Sequence, residues 1–173
     1  MRKQVTCAET FSVHGTMVLP QDANQYGMMY GGQLLKDVDN AASMSGIQFC
    51  RCPGVTGAVD NLNFLRGFPV GNHAITESYV SGCGTRSMEI FIKIIGENPE
   101  TGERYLGAMG FVTFVATPKD TEDFELPEIV PETEEEKLVC AGYAERQADR
   151  QALRKRNQAL SAQLTTDYRH LTF

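Results

Sequence analysis

The sequence predicts an α+β fold, a curved antiparallel sheet wrapped around one central helix, with a helical extension toward the C-terminus. Three observations predict it. A strongly periodic helix begins at Gly32, a strand-length segment precedes it, and four strand-like segments follow in succession before the composition turns polar and acidic at Pro118.

The helix comes first because its pattern is clearest. Leu34, Leu35, Val38, Ala41, Ala42, Ser45 and Phe49 recur at three- and four-residue spacing and form one apolar or small stripe. Lys36, Asp37 and Asn40 are predicted to face away from it. Asp39 falls about 40° around the helix from Leu35, on the flank of the stripe. A carboxylate there is desolvated, which either raises its pKa or demands hydrogen-bond donors, and both outcomes make a general base or nucleophile. The small run Ala41, Ala42, Ser43, Ser45 and Gly46 suits a helix pressed across a sheet. Ahead of it, Gly31 and Gly32 precede a first turn whose N–H groups have no intrahelical partner and carry the positive end of the helix dipole. Such an end holds a developing oxyanion, and glycine lets a carbonyl approach closely. Asn24, in the preceding turn, is within reach of the same place, although Asp22 and Asn24 are also ordinary turn residues.

Thr10 to Leu19 alternates as a strand, with Phe11, Val13 and Met17 on one side and Ser12, His14 and Thr16 on the other. After the helix, Cys52-Pro53-Gly54 is a breaker, and Val55 to Leu65 is a strand unusually polar at Asp60, Asn61 and Asn63. Those groups need partners, at a protomer interface or a ligand channel. His73 to Cys83 is a weaker strand. Arg86 to Ile95 is a stronger one, with Met88, Ile90, Ile92 and Ile94 on one face. A polar hairpin then leads to a last strand, Tyr105 to Thr117. The division that follows is residues 1–117 as the domain, 118–132 as an acidic linker and 133–173 as a helical tail. Thr133 and Glu134 to Glu136 open that tail helix, which runs on to Leu164 with sparse apolar positions, as a solvated helix or an oligomer contact does.

Composition excludes several functions. A chain of 173 residues with 42% hydrophobic content suits one domain, and a net charge of −6 argues against general nucleic-acid binding. No apolar run is long enough to span a membrane and the N-terminal residues lack a signal-peptide core, so a cytoplasmic location is expected. Cys7, Cys50, Cys52, Cys83 and Cys140 contain no CxxC pair, which predicts reduced thiols and no metal site. No phosphate loop of the ATP or dinucleotide kind is present, and no GxSxG elbow. His14, His73 and His170 belong to no catalytic set, leaving a carboxylate, an amide and backbone N–H groups to do chemistry.

The run PQDANQYGMMYGGQLLKDVDNAA resembles the signature of the hot-dog-fold acyl-CoA thioesterases, acyl-CoA hydrolase branch, through Pro20, Asn24, Gly27, Tyr30, Gly31, Gly32 and Asp39. Tyr30 stands where Phe or His is more usual. The resemblance implies that Asp39 acts as general base or nucleophile, that Asn24 positions water or the thioester, and that the two come from opposite protomers. FLRGFPVG resembles the family's turn through Phe64, Pro69, Val70 and Gly71. GCGTRSMEI resembles its Gly, Arg, Thr, Ser, Met run with Thr85 and Arg86 in swapped order, which implies CoA contacts by Thr85, Arg86 and Ser87. Arg51 and Arg66, and the cluster Arg150, Arg154, Lys155 and Arg156, are weaker candidates for the CoA phosphates. The implied activity is hydrolysis of acyl-CoA to fatty acid and CoA, with no cofactor beyond the CoA of substrate and product. The implied assembly is a homo-oligomer, a dimer at least and a trimer of dimers, or hexamer, beyond it. Two alternatives share the fold. One is a non-catalytic acyl-CoA binding or sensor protein; the other is a dehydratase, which would need a His near the helix start.

Overall fold

The computed structural model describes residues 2–119 and 124–165, so residues 120–123 of the predicted linker and 166–173 of the tail, His170 included, lie outside the described residues. In chain order the elements are β1 (Gln4–Thr6), β2 (Ser12–Met17), α1 (Gly31–Cys50), β3 (Gly54–Phe64), β4 (His73–Cys83), β5 (Ser87–Glu97), β6 (Arg104–Ala116), β7 (Glu128–Val130), α2 (Glu134–Ala141) and α3 (Tyr143–Ser161). Met1–Cys140 form one unit and Ala141–Phe173 a second.

An antiparallel five-stranded sheet in the order β2-β4-β5-β6-β3 carries the first unit, with α1 packed on its inner face. Period-two patterning sets that face: Met88, Ile90, Ile92 and Ile94 of β5 are all fully buried against the helix side. The small residues of α1 let it lie close. Gly46 has no side chain because a Cβ there would stand 2.5 Å from the ring of Phe114 on β6. Ser45 Oγ meets Ser78 Oγ at 2.8 Å, and Ser78 Oγ donates to the Ala41 carbonyl at 3.0 Å, so the polar atoms of the contact are satisfied.

The outer face of β5 is buried too, which the sequence pattern did not predict. Tyr79 and Phe91 pack there with Cys7, partly buried Phe111 and the end of α2 at Val139 and Cys140. Lys93 on the same face bridges Glu77 at 3.1 Å and Glu135 of α2 at 2.8 Å. Within the predicted linker, Glu128–Val130 form β7 and pair in parallel with β1, a two-stranded sheet too short and polar for periodicity to reveal. The tail helix is also interrupted: α2 ends at Ala141 and α3 begins at Tyr143, with Gly142, a weak helix former, between them.

The helix orientation differs from expectation at one turn. Asp37, predicted to face away, is buried, and Asp39, predicted to sit against the greasy side, is exposed on the single chain. The reason is Leu35, which belongs to the stripe by pattern yet is exposed, so the buried arc is centred farther round than the sequence indicates. Asp37, one turn before Ala41 and three residues after Leu34, falls within that arc beside β2. Burial raises the Asp37 pKa, against smaller opposing effects of His14, of the Thr16 hydroxyl at 3.4 Å, and of Lys36 and Gln33. The folded chain therefore holds that proton more tightly than the unfolded chain, and stability falls as pH rises above the ordinary carboxylate value of 3.8. Asp37→Asn removes this penalty. Its melting temperature is expected to exceed that of the wild type at about pH 8, with the gap closing as the pH is lowered through the acid range; an equal gap at every pH in a calorimetric series refutes it.

Candidate active site

The segment before α1 is a compact set of turns. Pro20–Asp22 form one 3₁₀ turn, and Tyr30 N–H donates to the Asp22 carbonyl at 2.8 Å, anchoring the chain just ahead of the helix. Asn24 Oδ1 accepts from the N–H groups of Tyr26 at 2.9 Å and Met28 at 3.3 Å. The carbonyl end of Asn24 thus holds the turn, and its NH₂ end is left to donate elsewhere. Gln33 and Leu34 N–H both turn back to the Tyr30 carbonyl, at 2.9 and 3.3 Å, so the N–H groups of Gly31 and Gly32 have no acceptor within the helix. Asn24 and Gly31 border one groove of about 270 Å³. The structure therefore brings together Asn24 and the helix N-terminus.

Asp39 lies about 12 Å farther along the helix axis at 1.5 Å per residue. Its Oδ1 accepts a 2.6 Å hydrogen bond from Thr56 Oγ1 on β3. Thr56 ties the carboxylate to β3, and the Asp39 side chain stays exposed on the single chain. Thr56 was not a predicted site residue, because its contact joins α1 and β3 across 17 positions and no local pattern signals it. Within one chain Asp39 is not beside Asn24: Thr56 stands near the start of β3, whereas Phe64, beside the Asn24 groove, ends it.

Thr85 and Arg86 are exposed at the β4–β5 turn, which closes through Gly84 N–H to the Ser87 carbonyl at 2.7 Å. Ser87 pairs with Val115 and Val115 with Val55. The turn is thus two strand spacings, about 10 Å, from the neighbour of Thr56. Arg51, exposed at the C-terminal end of α1 with φ of 52°, belongs to this end of the sheet. Arg66 is at the other end, on the Asn24 groove, with its guanidinium 4.0 Å over the Tyr105 ring and 3.4 Å from Glu103. Among the described residues no group of three or more His, Cys, Asp or Glu is placed to hold a metal ion, and no helix is long and apolar enough to cross a membrane.

An aspartate oriented by a threonine, an amide at a turn and free N–H groups at a glycine-opened helix are the parts needed to activate water and stabilise an oxyanion at a carbonyl. Residues 26–103 match the thioesterase superfamily model. The chain is 38% identical over 161 residues to the uncharacterized acyl-CoA thioester hydrolase YkhA of Bacillus subtilis, covering 93% of this chain and 94% of that one. It belongs to the acyl-CoA thioester hydrolase family. Solved structures of three related proteins extend the likeness across nearly all of this family member. The acyl-CoA hydrolase of Bacillus cereus superposes with a TM-score of 0.89 at 30% identity over 95% of this chain and 99% of that one. The acyl-CoA hydrolase of Staphylococcus aureus, solved in complex with butyryl coenzyme A, coenzyme A and coenzyme A disulfide, gives 0.86 at 26% identity, over 92% and 97%. Variants of that enzyme with alanine in place of an aspartate, a threonine or an asparagine give 0.89, 0.88 and 0.90. A hexameric acyl-CoA thioesterase solved in its apo form gives 0.82 at 28% identity, over 87% and 96%.

Proposed function

We propose that this chain hydrolyses acyl-CoA thioesters to a free fatty acid and coenzyme A. The observation that carries the reading is the pair of half-sites just described, the Thr56-held carboxylate of Asp39 and the NH₂ of Asn24 beside the open helix N-terminus. The residues altered in the S. aureus enzyme support it. There an asparagine is followed after 15 residues by the aspartate and after 17 more by the threonine; Asn24, Asp39 and Thr56 are the same types at the same spacings.

The site is completed by a second copy. β3 is an edge of the sheet, and a two-fold antiparallel pairing of two β3 edges about their middle carries Thr56 of one protomer toward Phe64 of the next. Asp39 of one chain then faces Asn24 of the other across the thioester. Water attacks the carbonyl carbon while Asp39 takes its proton. Negative charge grows on the carbonyl oxygen, held by the Gly31 and Gly32 N–H groups and the Asn24 amide. The C–S bond breaks as the carbonyl re-forms, and the sulfur leaves as the CoA thiol after receiving the proton. Thr85, Arg86 and Ser87 are the residues assigned to the CoA moiety, with Arg51 at the same end of the sheet to add positive charge locally on an acidic protein.

The hexameric relative supports a trimer of dimers as the assembly, and the cytoplasm is the proposed location. Purified protein mixed with acyl-CoA and a chromogenic disulfide is expected to release thiol catalytically. Stoichiometric CoA-thioester binding without turnover decides for the sensor alternative.

A further inference from the structure

On the face of the sheet away from α1, two thiols from opposite ends of the chain meet. Cys7 Sγ and Cys140 Sγ stand 3.8 Å apart across 133 positions of sequence, with both cysteines reduced. Cys7 is fully buried and its backbone is fixed on both sides. Its N–H donates to the Val130 carbonyl at the end of β7 at 3.1 Å, and its carbonyl accepts from Thr10 N–H at 3.0 Å and Thr10 Oγ1 at 2.9 Å. Cys140 is half-buried, at the next-to-last position of α2. Cys50 and Cys83 instead donate to backbone carbonyls, those of Cys52 and Pro127, each at 3.2 Å.

The helix that Cys140 ends is tied at its start and lightly held beyond it. Glu136 Oε2 accepts from the N–H groups of Glu132 at 2.7 Å and Thr133 at 2.9 Å, and Thr133 Oγ1 accepts from Glu136 N–H at 3.2 Å, a capping box. No residue of α2 is fully buried, and Leu138 is 78% exposed. Apart from the ion pair of Glu135 with Lys93, the far end rests on Val139 and Cys140 against Cys7, Tyr79 and Phe91. A helix with so little buried surface opens at low cost. A bond from Cys140 to a residue as fixed as Cys7 would remove that opening, and by closing a loop over most of the chain it would also restrict the unfolded state.

We propose that Cys7 and Cys140 are an oxidisable pair whose disulfide, made by exchange with a small-molecule disulfide, locks the end of α2 onto the sheet. Cys140 reacts first, because it is the member that solvent reaches. The Cys7 pKa is held above that of an ordinary thiol by the hydrogen bond with Cys140, by burial, and by the nearby charges of Glu136 and Glu132. The Cys140 thiolate attacks one sulfur of the small disulfide, whose S–S bond breaks. One half joins Cys140 and the other leaves as a thiolate that takes up a proton. Cys7 then gives up its proton as its sulfur attacks that of Cys140, and the second half leaves as a thiol. Two protein thiols are thereby oxidised and one small disulfide is reduced to two thiols.

The test treats the full chain with oxidised glutathione. The chain is expected to lose the mass of two hydrogens, and non-reducing peptide mapping should join the Cys7 and Cys140 peptides before Cys50, Cys52 or Cys83 reacts. The melting temperature should rise by about 5 °C or more, and amide hydrogen exchange within α2 should slow, both reversed by dithiothreitol. Cys140→Ser, a change at a half-buried position, should fold as the wild type does and show neither response. Absence of the linkage overturns the proposal, as does a glutathione adduct that stays on Cys140 while Cys7 remains open to alkylation in the denatured chain. A Cys50–Cys52 bond formed first also overturns it. So does a Cys7–Cys140 linkage that leaves α2 exchange and the melting temperature unchanged, or a response that persists in Cys140→Ser.

Discussion

Asp39→Asn is expected to lower kcat for acyl-CoA hydrolysis by about 10²–10⁴, the range for loss of a positioned general base, while KM changes little. The substitution keeps the acceptor for Thr56 and the shape of the side chain but cannot take a proton from water. Because Asp39 is exposed and makes no core contact, its replacement should leave the melting temperature near that of the wild type. Loss of activity then reports chemistry. Thr56 acts through Asp39 rather than on the substrate, so Thr56→Val should cost less than Asp39→Asn and lower kcat with KM little changed, which loss of substrate binding would not do. A single turnover in heavy-oxygen water separates base from nucleophile. Attack by the carboxylate expels the CoA thiolate and forms a mixed anhydride, and water opening that anhydride at the aspartyl carbonyl leaves the first acid unlabelled and puts the label on Asp39; label on Asp39 therefore identifies the nucleophile, whereas direct attack by water never labels the enzyme. Asp39→Asn retaining turnover within about threefold of wild type removes Asp39 from the mechanism.

Much of the fold was legible because it rests on local periodicity. The alternation of Met88 to Ile94 marks β5, and the small stripe of α1 marks a helix pressed on a sheet; Met88, Ile90, Ile92 and Ile94, and Ala41, Ala42, Ser45 and Gly46, are buried, whereas Ser43 is half-buried. What was not legible depends on which neighbour arrives. Asp37 and Asp39 are two positions apart on one helix, and only the placement of β2 on one flank and an uncovered edge on the other decides which is buried. Leu35 misdirects the pattern because an exposed leucine and a core leucine read identically in sequence. Thr56 is invisible for a related reason: a threonine near the start of a strand is ordinary until an aspartate from another element meets it. The outer cluster of Cys7, Tyr79 and Phe91 is likewise made by distant pieces, the N-terminal turn and α2, so that Phe91 looks like an interruption of β5 rather than a second core.

The largest effect after loss of Asp39 belongs to Asn24, and it also tests the shared site. In Asn24→Asp the carboxylate can still accept from the N–H groups of Tyr26 and Met28, so the turn persists, but the NH₂ donors aimed at the carbonyl are gone. A loss of about 10²–10³ in kcat is expected, the usual effect of removing one oxyanion donor. Asp39→Ala and Asn24→Asp are then each nearly inactive, for different halves of one site. If the halves come from opposite protomers, a dimer of one subunit of each kind has one site with both native groups and one with neither. With random pairing, half the dimers are mixed and each has one of two sites intact, so co-expression should restore about a quarter of wild-type activity. If both groups serve the same chain's site, every subunit carries a defect and nothing is restored. Native mass measurement of differently tagged subunits establishes that mixed oligomers are present, and such oligomers without recovered turnover would rule out a site shared between protomers.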